Sequence, residues 1–236
     1  MGVFGIIGDE RTNVADSVYY GLYALQHRGQ ESSGIVVNDD GVFTFHKNAG
    51  LVNDVFNRSL LDSLGQGNMA IGHSRYGTLT TKDKVNAEPI VVNHIKGRLA
   101  IATDGCLVNA QELKRELELQ GMIFHTTSDA EIISYVITKE RITSASIEEA
   151  VSKAMDKLKG GYCLLLMSPQ KIIAARDEHG LHTLCYGKRE NGQYVVATES
   201  CALDSVGATF IREIEPGELV VFSNDEGIKS IKDHCG

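Results

Sequence analysis

The side chains that could do chemistry in this 236-residue chain fall into two groups: dispersed thiols and imidazoles, and short polar segments rich in Arg and Asp. Cys106, Cys163, Cys185, Cys201 and Cys235 are scattered and form no C-x-x-C pair. An odd, dispersed set reads as reduced thiols, not as a disulfide scaffold or zinc site. Cys163 and Cys185 lie in apolar, strand-like runs and read as inert core residues. The eight histidines show no ligand spacing, so no metal site and no cofactor is expected. The polar segments are more informative. A planar guanidinium such as Arg75 can grip a carboxylate through two parallel hydrogen bonds. Thr127, Ser128 and Asp129 have the types of a helix-capping cluster, so a structural role for Asp129, including an ion pair with Arg75, stands beside a ligand-binding one.

The elements that must carry these residues are legible in outline. Val3–Ile7 is a short apolar run with strand character. Val14–Leu25 has apolar residues at helical spacing after Thr12 and Asn13 as caps. Gly34–Val37 and Val42–His46 flank Asn38-Asp-Asp-Gly41, a hairpin signal. Asn68–Arg75 and Leu99–Thr103 read as strands that end in polar residues. Amphipathic helices are expected over Asn109–Gln120, Asp129–Glu140 and Ile147–Leu158. Strands follow at Tyr162–Met167, Lys171–Ala175, Thr183–Gly187, Tyr194–Ala197 and Glu218–Phe222. Strands, then helices, then strands favour an α+β domain of layered sheets with helices outside.

Composition narrows the functional classes. The apolar fraction of 42 % and charged fraction of 23 % suit a globular protein with a sizeable core. A net charge of −8 argues against non-specific nucleic-acid binding. No apolar run approaches a membrane span, and the N-terminal residues lack the pattern of a signal peptide. With three prolines and no low-complexity linker, residues 1–236 read as one domain in the cytoplasm.

Six landmarks occur in order: Leu25-Gln-His-Arg-Gly-Gln30, Gly72-His-Ser-Arg-Tyr-Gly77, Asn86-Ala-Glu-Pro89, Thr127-Ser-Asp-Ala-Glu131, Ala197-Thr-Glu-Ser-Cys-Ala-Leu-Asp204 and Glu215-Pro-Gly217. With the opening Met1-Gly-Val-Phe-Gly-Ile, they resemble the glutaminase domain of amidophosphoribosyltransferases, a class II (N-terminal nucleophile) glutamine amidotransferase. The resemblance implies a four-layer αββα sandwich and an L-glutamine pocket. In it, Arg75, with Tyr76 beside it, would meet the substrate carboxylate and Asp129 the ammonium. Arg28 would brace the active-site end of the sheet.

Two positions depart from the family pattern. A cysteine nucleophile normally precedes the glycine equivalent to Gly2, and its α-amine shuttles the proton. Met1 stands there, and a thioether cannot form a resolvable thioester. The oxyanion loop, normally His-Asn-Gly, is Thr103-Asp104-Gly105. An ionised Asp104 offers no donor, and losing one oxyanion donor costs roughly 3–4 kcal/mol. Cys106, two residues on, reads as a packed or ligand-contacting thiol more readily than as a new nucleophile. The Asp177-Glu-His-Gly-Leu-His-Thr-Leu184 segment has replaced the family's prolines and arginine.

The expected function is a catalytically impaired relative that binds glutamine or a similar amino acid as a regulatory module. Its partners would be a synthase or phosphoribosyltransferase, or a second copy of the chain, since no phosphoribosyltransferase domain is expected within these residues. Repurposed chemistry in the same pocket, and a glutaminase whose native residue before Gly2 is cysteine, are the alternatives.

Overall fold

Two antiparallel sheets face one another and carry helices on their outer surfaces, giving the four-layer αββα sandwich. The computed structural model of the protein describes residues 1–77 and 84–236. In chain order the first strands and helices are β1 (Gly2–Thr12), α1 (Val14–Ala24), β2 (Ser32–Asp39), β3 (Val42–Ala49), α2 (Val52–Val55), α3 (Arg58–Ser63) and β4 (Gly67–Arg75). The middle of the chain supplies β5 (Ile90–His94), β6 (Gly97–Leu107), α4 (Ala110–Leu119), α5 (Asp129–Thr143) and α6 (Ile147–Met155). It closes with β7 (Gly160–Met167), β8 (Lys171–Arg176), β9 (Cys185–Arg189), β10 (Tyr194–Ala197), α7 (Ser200–Ser205), β11 (Ala208–Glu213), β12 (Leu219–Ser223) and β13 (Gly227–Ile231). One sheet has the order β11-β9-β10-β1-β4-β2-β3 and the other β13-β12-β8-β7-β6-β5.

Alternation along each central strand divides its side chains between layers. Val3 and Ile7 of β1 join the core between the sheets, while Phe4 and Ile6 pack with Val18 and Leu22 of α1. In β6, Ala100 and Ala102 face the inter-sheet layer, while Leu99 and Ile101 pack with Ile133 and Ile137 of α5. Both faces of these strands are therefore covered, so their sequences read as continuous apolar runs. The same parity aims Asp104 of β6 into the space between the sheets. Cys163 of β7 lies in that inner core, and burial pushes its thiol well up; burial also pushes the Cys185 thiol up to about 12. Both are buried core residues.

The hairpin forms as expected, with Asp39 opposite Val42 and positive φ at Asp40 (49°) and Gly41 (90°), the geometry a two-residue loop demands. Several expectations need correction. The strands β5, β11 and β13 and the short helices α2, α3 and α7 were not anticipated. The edge strand β11 exposes Phe210 and Ile211 and so lacks a buried-face pattern. The third amphipathic helix stops at Met155 instead of Leu158. Asn13 precedes α1 but spends its side-chain amide on Asp16, not on a backbone cap.

An ion pair joins the sheets at one edge. Arg212 of β11 donates to Glu218, just before β12, at 2.6 and 2.8 Å, and the Ser230 hydroxyl of β13 donates at 2.6 Å. Burial pushes the Glu218 carboxyl up, but these donors and the Glu215 N–H outweigh it and hold it down to about 2. Among the described residues no helix is long and apolar enough to cross a membrane.

Gly21 shows how closely α1 sits on its sheet, because a Cβ there would fall 2.2 Å from the Phe4 ring. Glycine to alanine in an open helix interior stabilises by roughly 0.5–1 kcal/mol. Here overpacking reverses the sign: Gly21→Ala should destabilise by about 1–3 kcal/mol, read from the midpoint of urea unfolding.

Candidate active site

One end of the sandwich gathers the start of β1, the end of β4, the end of β6 and the N-terminus of α5. Gly2 pairs with Ser74 across β1 and β4. A Cβ on Gly2 would lie 2.8 Å from the Ser74 hydroxyl and 3.0 Å from Leu25, so the chain there stays close to its neighbours. The turn Gln26–Arg28 follows α1 and is laid onto β4 by Gly29, whose Cβ would stand 2.6 Å from the Ser74 carbonyl group.

This approach delivers Arg28 into the gap between the sheets. Its guanidinium donates to the Met1 carbonyl at 2.7 Å, to Glu199 Oε1 at 2.7 Å and to Asp104 Oδ2 at 2.6 Å. The Met1 main-chain nitrogen lies 3.2 Å from Asp104 Oδ1, and His182 Nδ1 lies 3.4 Å from Oδ2. Asp104 is thus 1 % exposed and surrounded by nitrogen. Burial works against the charge on Arg28, but Glu199 and Asp104 more than offset it and hold the guanidinium protonated. Burial likewise raises Glu199, while Arg28 and His27, at 2.8 Å, pull its carboxyl below the usual range. Gly105 has φ 115° and a Cβ there would meet the Gly161 carbonyl oxygen at 2.1 Å, so only glycine fits beside Asp104.

Beside this cluster lies Arg75, the last residue of β4. Its Nη1 donates weakly to the Asn86 carbonyl at 3.3 Å and to Ser128 Oγ at 3.5 Å. Glu31 and Glu88 flank it, each 3.6 Å away and outside hydrogen-bond range. Among the described residues its buried Nε has no acceptor. Asp129 opens α5, directly after Ser128, whose hydroxyl caps the helix by accepting from Ala130 N–H. Asp129 Oδ2 accepts from the Leu107 N–H of β6 at 2.8 Å. Burial pushes the Asp129 carboxyl up, helped by Glu88, while the Leu107 N–H and Arg75 pull it down.

The sequence-derived set therefore comes together in two parts. Met1, Arg28, Asp104 and Gly105 form one contiguous cluster. Arg75 and Asp129 lie at the end of β4 and the start of α5, and the carboxylates nearest Arg75 are Glu31 and Glu88, each 3.6 Å away, so the ion pair with Asp129 is not what is observed. Ser128 caps the helix as its type suggested. Cys106 is exposed, not packed, and Tyr76 projects outward with 66 % of its surface exposed. Glu31, Glu88, His182 and Glu199 were not singled out, although Glu88 and Glu199 lie inside two of the landmark motifs. Among the described residues no group of three or more His, Cys, Asp or Glu is placed to hold a metal ion.

Comparison with known proteins agrees with this architecture. Residues 73–205 match the family described as a glutamine amidotransferase domain. Amidophosphoribosyltransferase of Methanocaldococcus jannaschii is 43 % identical over 233 residues, covering 99 % of this chain and 49 % of that protein. The Bacillus subtilis amidophosphoribosyltransferase is 44 % identical over 230 residues, covering 97 % of this chain and 47 % of that protein. A solved structure described as the allosteric regulatory enzyme of purine biosynthesis superimposes with a TM-score of 0.91 at 43 % identity, over 98 % of this chain and 49 % of that one. The chain thus spans about half the length of the curated relatives it matches.

The cluster makes a stability prediction. Arg28→Met leaves a buried carboxylate without its closest cation and should cost roughly 3–5 kcal/mol in urea unfolding. Adding Asp104→Leu should restore much of that loss, so the two changes should be strongly non-additive in a double-mutant cycle.

Proposed function

The chain belongs to the glutamine amidotransferase domain family, in the form carried by amidophosphoribosyltransferases, and from that premise we propose that its pocket binds L-glutamine or a closely related amino acid without hydrolysing it by the family's thioester route. Residues 1–236 act on this reading as one glutaminase-like unit. Arg75 takes the ligand's α-carboxylate. Its half-buried guanidinium lies 3.6 Å from each of Glu31 and Glu88, and its Nε has no acceptor among the described residues. Asp129 takes the α-ammonium with the oxygen that Leu107 leaves over. A ligand ammonium there would favour the charged form that burial opposes.

The observation that carries the non-hydrolytic part is the Asp104 cluster. Attack on an amide builds negative charge on the carbonyl oxygen, and an active site stabilises that charge with donors held in place beforehand. Here that position holds a buried carboxylate already paired with Arg28. A second negative charge developing nearby would be repelled. Met1 supplies no thiol to attack, and a thioether sulfur has no proton to lose. The two substitutions act on different halves of the same step, nucleophile and oxyanion.

On this reading the protein is a binding or regulatory module, working beside a synthase or phosphoribosyltransferase in a process related to purine biosynthesis. Five free thiols suit a reducing compartment, the cytoplasm.

Calorimetric titration with L-glutamine tests the pocket. Saturable binding is expected, and Arg75→Ala should weaken it roughly 10- to 100-fold through loss of charge-assisted hydrogen bonds. An affinity unchanged by Arg75→Ala would remove the assignment.

A further inference from the structure

Glu88 is among the most enclosed carboxylates in the molecule, with 1 % of its surface exposed, and the pocket assigned above makes no direct use of it. Its Oε2 accepts from the Thr103 N–H at 2.8 Å and the Thr103 hydroxyl at 3.1 Å, with His73 Nε2 at 3.4 Å. Its Oε1 accepts from the Ser128 hydroxyl at 2.9 Å and faces Arg75 Nη1 at 3.6 Å. All these neighbours are nitrogens or hydroxyls able to donate, and a carboxylate is acceptor-only. His73 Nε2 also lies 2.8 Å from the Thr103 carbonyl, which needs a donor, so the proton sits on that nitrogen.

The backbone around Glu88 is held just as firmly. Its carbonyl lies against Gly34 of β2, where a Cβ would fall 2.1 Å from the oxygen. Lys47 donates to the Pro89 carbonyl at 3.1 Å. Asn86, two residues earlier, exchanges hydrogen bonds with Thr127: its amide donates to the Thr127 hydroxyl at 2.8 Å, and Thr127 N–H donates to its oxygen at 2.9 Å. One short segment therefore reaches β2, β4, β6 and the start of α5.

From these contacts, and resting on the amino-acid-binding reading above, we propose that Glu88 is the positioning residue of the pocket: its one carboxylate holds the capped end of α5 that presents Asp129 and the β6 residue preceding Asp104, and orients the Arg75 guanidinium through its counter-charge and the shared Ser128 hydroxyl. The Ser128 hydroxyl shows why the charge matters. It gives its proton to Glu88 and so keeps its lone pairs for Ala130 N–H and Arg75 Nη1. An amide in place of the carboxylate has one accepting oxygen for donors on two sides. Turned toward Thr103, it presents its NH2 to Ser128 and Arg75. The hydroxyl must then turn to accept from it, and the guanidinium loses its counter-charge. Turned the other way, it opposes the buried Thr103 N–H.

The test compares Glu88→Gln with Glu218→Gln, a buried carboxylate paired with Arg212 away from the pocket. Each full-length variant is titrated with L-glutamine at a temperature where its unfolding curve shows it folded. Both substitutions should lower the unfolding midpoint. Only Glu88→Gln should weaken L-glutamine binding, by at least fivefold. A smaller change, or an equal loss in Glu218→Gln, overturns the proposal, because a merely structural carboxylate would affect folding and not affinity. Should Glu88→Gln fail to fold, Ser128→Ala decides: it removes the hydroxyl joining Glu88 to α5 and should weaken L-glutamine at least threefold, and a smaller loss overturns the proposal. Loss of binding in Arg75→Ala with affinity retained in Glu88→Gln defeats this inference alone. An affinity indifferent to Arg75→Ala, or no binding by the unsubstituted protein, defeats the amino-acid reading and this inference together.

Discussion

A carboxylate buried between two sheets must have a cation beside it, and the contact between Asp104 and Arg28 is the constraint on which this end of the sandwich depends. Arg28 reaches three separate parts of the chain. It meets β1 through the Met1 carbonyl, β6 through Asp104, and the residue before α7 through Glu199. Its delivery to that place requires the turn after α1 and the close approach that Gly29 permits on β4. Sheet separation, the path of the first strand and the polarity of the enclosed space are therefore coupled through one guanidinium.

On the proposed function, the same contact separates two functions that an amidotransferase site normally combines. Holding an amino acid needs a cation and an anion at fixed separation, roles that the proposed function gives to Arg75 and Asp129. Breaking its amide bond needs a nucleophile and donors aimed at the oxygen that becomes negative. On that reading the second requirement meets the carboxylate of Asp104, which is paired with Arg28. In the proposed scheme binding draws on side chains held through Glu88 and the family's chemistry on the position of Asp104, and Thr103, which donates to Glu88, precedes Asp104 along β6.

Much of this was readable in the residues. The helices α1, α4 and α5 followed from their apolar spacing, and the β2–β3 hairpin from Asp40-Gly41. Arg28, Arg75, Asp104 and Asp129 emerged from ordered motifs. What stayed hidden was pairing over long sequence distance: Arg28 and Glu199 are 171 residues apart, and Ser128 and Glu88 are 40 apart. No local pattern encodes such contacts, because antiparallel strand order decides them. The edge strand β11 escaped notice for a related reason, since an exposed strand with Phe210 and Ile211 in solvent has no buried face to impose alternation.

Ammonia release from L-glutamine by the purified protein, at a glutamine concentration that saturates the calorimetric signal, tests the non-hydrolytic pocket most directly. Occupied sites and no ammonia above the protein-free rate are expected. Ammonia production that rises in proportion to protein concentration would contradict a non-hydrolytic pocket, because the amide bond would then be breaking despite the buried carboxylate of Asp104.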